Sequence, residues 1–144
     1  MNITKALKEK NKKIKEINEY AQKMSLYNSI EEGTTRPYSA TEMLENYKKA
    51  VSELIELKTK IHQANTKVYH KIFRLSELKS MVNNIRSLSC TEGKTPPSRW
   101  SSEDRPVMVS EISLIDRDNL VKELEKEIEQ IHDELDYHNS TTEI

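Results

Sequence analysis

ITKALKEKNKKIKEINEYAQKM, residues 3–24, sets Ile3, Leu7, Ile14, Ile17, Ala21 and Met24 in a heptad register interrupted only by Lys10. A stripe of that period belongs to a helix that buries one narrow seam against other helices. The register returns near the far end in Val121, Leu124, Ile128, Ile131 and Leu135. Between them Leu44, Tyr47, Val51, Leu54, Leu57 and Ile61 form another seam, and Val68, Ile72, Leu75, Leu78, Val82 and Ile85 restart it. With 2 glycines in 144 residues, little breaks these helices. The expected fold is mainly α: long antiparallel helices in a bundle or coiled-coil arrangement, with a polar loop and a short extended segment at 105–115.

The first helix is expected over about 4–32, stopped by Gly33 in a left-handed conformation with Pro37 shortly beyond. Ser39-Ala40-Thr41-Glu42 is a capping box and opens a helix, or a kinked helix pair, over about 40–88. Asn65-Thr66 marks the candidate break, because asparagine tolerates the left-handed conformation at a helix end. Residues 89–104 have no period, two adjacent prolines and the single tryptophan, and read as a loop. Pro106 to Ile115 is rich in β-branched and apolar residues, so 105–115 reads as extended, a short hairpin or an edge strand. Asp116 then caps a final helix over about 117–138. Glu53, Leu54, Leu57, Ile61 and Asn65 recur in spacing and type as Glu127, Ile128, Ile131, Leu135 and Asn139, a faint repeat of two helices ending in asparagine.

By length, residues 1–144 make a single helical domain. One-third of the chain is charged and only 6% is aromatic, so few large side chains are available to fill an interior. Self-association is the natural way for such a chain to gain apolar burial. The net charge of −1 argues against a nucleic-acid polymer as partner. Charge is polarised all the same, with Lys5, Lys8, Lys10, Lys12, Lys13 and Lys15 near one end. Glu123, Glu125, Glu127, Glu129, Asp133, Glu134 and Asp136 stand near the other. Opposite ends of this kind set the pairing of helices, within or between subunits, or merely keep the protein in solution. A lone Cys90 excludes an intramolecular disulfide. No stretch approaches the ~18–20 apolar residues of a membrane span. The lysine-rich first fifteen residues lack the apolar block of a secretory leader. The expected location is the cytoplasm, or a host's cytoplasm if a phage encodes the chain.

Familiar chemical motifs fail on spacing. Gly93-Lys94-Thr95 resembles the tail of a phosphate-cradling loop, but Leu88 stands where that loop needs glycine, and Pro96-Pro97 forbid the helix it needs. His62, His70, His132 and His138 include no pair four apart, and Cys90 has no partner at zinc spacing. His132 with Asp136 reads as a solvated helix-surface pair. No serine sits in a strand–turn–helix elbow. Neither an enzyme nor a metal or organic cofactor is expected.

One constellation stands out: Lys94, Arg99, Trp100 and Arg105, with Arg86 and Arg74 on the preceding helix. An indole flanked by guanidinium groups can stack on a base and grip phosphate oxygens. In the competing arrangement Trp100 plugs the end of the helical bundle while the arginines pair with the acidic last helix.

Several segments resemble the septicolysin-like family of small helical bacterial and phage proteins. They are Ile61-His62-Gln63-Ala64-Asn65-Thr66, Leu75-Ser76-Glu77-Leu78-Lys79, Ser110-Glu111-Ile112 leading to Ile115-Asp116, and the closing Leu135-Asp136-Tyr137-His138-Asn139-Ser140-Thr141-Thr142-Glu143-Ile144. Ser140 stands where the family commonly has an aromatic. The resemblance implies a helical homo-oligomer, and by analogy of design a phage sponge that sequesters a nucleotide immune messenger. The leading expectation is therefore a non-catalytic, cytoplasmic oligomer that holds a small anionic ligand, such as a cyclic nucleotide or cyclic ADP-ribose. Lys94, Arg99, Arg105 and Arg86 would grip phosphate and Trp100 would stack. The alternative is a structural or interaction protein that binds partner helices through its seams.

Overall fold

The computed structural model describes residues 1–95 and 105–144; Arg99 and Trp100 lie outside them. The described chain is mainly α, as its periodicity predicts. In order it holds α1 (Ile3–Tyr27), α2 (Ala40–Ala64), α3 (Tyr69–Arg86), β1 (Gly93–Lys94), β2 (Val107–Met108) and α4 (Leu114–Thr141). It divides into two compact units, Met1–Tyr69 with Asp136–Ile144, and His70–Leu135.

In the first unit α1 packs against α2 along the expected stripe, widened on one side by Ala6, Lys13, Tyr20 and Tyr27. Ile3 and Ala6 are buried, and Leu7, Lys10, Lys13, Ile17, Tyr20, Ala21, Met24 and Tyr27 are half-buried along it. Ile14, expected on the seam, is 37% exposed. Lys13 takes its place because a lysine can lay its alkyl stem along the seam while the ammonium reaches out. That ammonium is held by Glu53 of α2 and by Glu16, 3.3 Å away. On α2, Met43, Ala50 and Ile61 are buried, whereas Leu44 and Val51 remain half-buried.

Helix α1 ends at Tyr27, five residues before the expected Glu32. Its last carbonyls are satisfied from outside the helix: Arg36 donates to the oxygens of Tyr27 and Asn28, both at 3.1 Å. Gly33 adopts its left-handed conformation (φ 84°) beyond the helix, in the turn where Thr34 N–H donates to Glu31 O. Tyr38 folds back over α1, its ring 5.6 Å from that of Tyr27 and 4.4 Å from the Lys23 ammonium. Ser39 caps α2 as its sequence announces, accepting from Glu42 N–H.

Residues 40–88 are two helices. Asn65 caps α2 in a right-handed conformation (φ −87°), so the break does not use the left-handed state. A tertiary bond holds it instead: the His138 Nε2 lies 3.2 Å from Asn65 Oδ1, and the His138 Nδ1 lies 3.2 Å from Thr142 Oγ1. Asn139, the expected counterpart of Asn65, lies inside α4 and ends no helix. The start of α1 is tied to the closing segment through Ile3 N–H donating to Thr142 O and Asn2 Nδ2 to Ser140 O, each 3.1 Å.

In the second unit α3 and α4 run antiparallel, and Leu78, Val82, Val121 and Ile131 are buried. Ion pairs flank them: Lys71–Glu134 at 3.0 Å, Arg74–Glu127 at 2.5 Å, and Arg86–Glu125. Arg117 donates to Leu88 O at 3.0 Å beyond the end of α3. Helix α4 begins at Leu114, earlier than expected, because Ser113 rather than Asp116 receives the first free amides. The Ser113 hydroxyl accepts from Asp116 N–H and its carbonyl from Arg117 N–H. At its other end α4 continues to Thr141. The extended segment is thus shorter than 105–115, and part of the expected loop, Gly93–Lys94, is a strand.

Candidate functional site

The two strands form an antiparallel ribbon in which Gly93 faces Met108 and Lys94 faces Val107. Thr95 N–H donates to Pro106 O at 3.2 Å, continuing the ladder. On the other side, Glu92 closes the stem by accepting from both Ser110 N–H (3.1 Å) and the Ser110 hydroxyl (2.6 Å). These two bonds, the hydroxyl's first, hold the Glu92 carboxyl below its ordinary range. Gly93 (φ 83°) supplies a left-handed position that an L-residue would adopt only with strain.

The ribbon brings two of the expected anion-binding residues to one end. Lys94 is exposed, and Arg105 donates from Nη1 to Thr95 O at 3.2 Å. Arg86 is engaged elsewhere. It is committed to Glu125 of α4, and Arg74 to Glu127, so these two follow the competing expectation in which the arginines pair with the last helix. A groove of about 230 Å³ between α3 and α4 presents His70, Lys71 and Arg74. Glu127 and Glu134 line it too and offset the cations, so it offers no net positive site. Lys71 holds the Glu134 carboxyl below its ordinary range. A second groove, about 160 Å³ between α1 and α2, is lined by Lys13 and Lys49 against Glu16 and Glu53. It is likewise self-neutralised.

What the sequence reading did not single out is the apolar surface beside the ribbon. Val107, Met108, Val109, Ile112, Leu114, Ile115 and Leu120 are between 40% and 83% exposed, with Val109 the most exposed. Scattered surface leucines are ordinary, but seven exposed apolar side chains within fourteen residues are an unusual local concentration. The signal was present in the β-branched run 106–115, read as an extended segment, a short hairpin or an edge strand but not as an interaction surface. Among the described residues no group of three His, Cys, Asp or Glu side chains is placed to hold a metal, and no helix is long and apolar enough to cross a membrane. No family model, no curated protein and no solved structure matches this chain.

Proposed function

We propose that this chain is a non-catalytic interaction protein that works by presenting the ribbon and the start of α4 to another polypeptide. One observation carries the reading: the apolar side chains between Val107 and Leu120 stand in water. The test is a photo-crosslinking amino acid placed at Val109, with one at Lys58 as an exposed polar control on α2. Incubated with cell extract, the first should yield polypeptide adducts and the second none. Absence of any polypeptide adduct at position 109 overturns the proposal.

A second reading is favoured by the placement of Lys94 and Arg105 at one end of the ribbon. Two cations there suit a small phosphate-bearing ligand, in line with the sequestering oligomer suggested by the septicolysin-like resemblance. Calorimetry against cyclic nucleotides and cyclic ADP-ribose, with Arg105→Ala and Trp100→Ala as controls, tests it. A flat response across the panel removes it.

A further inference from the structure

We propose that β2 pairs with β2 of a second copy of this chain, antiparallel and about a twofold axis through Met108, joining two ribbons into one four-stranded sheet. The inference rests on the reading above, that the chain acts through a protein surface, and adds the partner and the mode of docking.

The hydrogen-bond alternation of the ribbon carries the argument. Pro106 O accepts from Thr95 N–H, Met108 faces Gly93, and Ser110 N–H is turned to Glu92, so residues 106, 108 and 110 direct their backbone groups toward β1. Val107 and Val109 therefore direct theirs the other way. Among the described residues no strand occupies that outer edge. Bare edges of this kind recruit a further strand unless something blocks them, and neither valine is a blocking residue.

The side chains make the edge complementary to itself. Arg105, Val107 and Val109 alternate onto one face around β2, and Glu111 follows two residues on, at the bend that leads into α4, so that alternate positions read Arg, Val, Val, Glu. A twofold axis at Met108 sets Arg105 opposite Glu111, and Val107 opposite Val109, twice over. The opposed valines are then the residues whose outward N–H and C=O groups meet, giving a hydrogen-bonded pair on each side of the axis. Moving the axis by one residue sets arginine or glutamate against valine. Moving it by half a residue sets outward backbone groups against inward ones. A single register satisfies both the charges and the backbone. The groups needed are at hand: Val107 is 62% and Val109 83% exposed. Glu111 is exposed with no ion pair among the described residues, and Arg105 spends one of its five N–H groups on Thr95 O.

The experiment is sedimentation velocity of the full chain over a wide concentration range, with charge exchange. The protein should dimerise, and Arg105→Glu or Glu111→Arg should each weaken the dimer about tenfold by setting like charges opposite at both ends. The double variant R105E/E111R, or an equimolar mixture of the two single variants, should recover the dimer, because opposite charges again face one another. Val109→Pro, which removes one outward N–H and is tolerated on an unpaired edge, should abolish association and leave the helical circular dichroism unchanged. A protein that stays monomeric, or a dimer indifferent to Val109→Pro and to charge reversal, overturns the pairing. Crosslinks at position 109 only to a different polypeptide also overturn it while leaving the broader interaction reading intact.

Discussion

Truncating Ile3 to alanine removes three carbons from a side chain that is 0% exposed. At ~0.8 kcal/mol per buried methylene the transfer loss is ~2.4 kcal/mol, and a cavity of roughly 80 Å³ adds ~2, for a total near ~4 kcal/mol. The same truncation at Ile14, 37% exposed, forfeits about two-thirds of the transfer loss and leaves no closed cavity. Alanine's better helix propensity returns a few tenths, so Ile14→Ala should cost only ~1 kcal/mol. Urea unfolding followed by far-ultraviolet circular dichroism measures both, with midpoints compared at constant slope. On heating, the two variants should lose roughly 12 °C and 3 °C. Equal losses would show that Ile14 is packed as closely as Ile3 and refute its place at the margin of the seam.

Removing the α2 cap with Ser39→Ala should cost about 1 kcal/mol, and an unchanged urea midpoint would show that Ser39 is not the cap. The hydrogen bond from Lys13 holds the Glu53 carboxyl below its ordinary range. The stability this contributes is present above the ordinary carboxylate pKa and lost as pH falls through the lowered value. Lys13→Met keeps the stem and removes the charge, so it should flatten the acid limb of a stability–pH curve; an unaltered limb contradicts the pairing. Lys13 is itself raised by Glu53, so its contribution is present at neutral pH and lost as pH climbs past the raised value. Ser110→Ala should bring the Glu92 titration midpoint, read by carboxyl NMR, back up toward an ordinary glutamate and speed amide exchange at position 110. No movement in either would dissolve the stem contact.

Much of the fold was legible because it is local. Heptad spacing located the helices, and Ser39 before Glu42 announced the start of α2 within one residue. What escaped depends on groups far apart in sequence. Nothing near Tyr27 says that Arg36, nine positions on, will cap its carbonyl and end α1 early. Lys13 lies off the heptad register, and nothing marks it as part of the seam until Glu53 is seen beside it. Asn65 was legible as a break, but the partner that holds it, His138, is 73 positions away. Of the candidate site, Lys94 and Arg105 were singled out by residue type, and their meeting depends on a ribbon whose first strand looked like loop. Arg86 pairs with Glu125 in the structure, a partner that a guanidinium on a helix accepts as readily as phosphate and that lies 39 positions away. The valine edge was visible as hydrophobicity without any hint that it would stay uncovered.

Among the described residues the His70–Leu135 unit buries four apolar side chains, Leu78, Val82, Val121 and Ile131. A unit with so few fully buried side chains would open more readily than a well-filled one, and cellular proteases act on the opened population. Chains that have found their partner would be protected by mass action, and solitary ones degraded. Abundance would then be metered by assembly, so that substitutions at Val107 or Val109 lower protein level in the cell before they alter any measured activity.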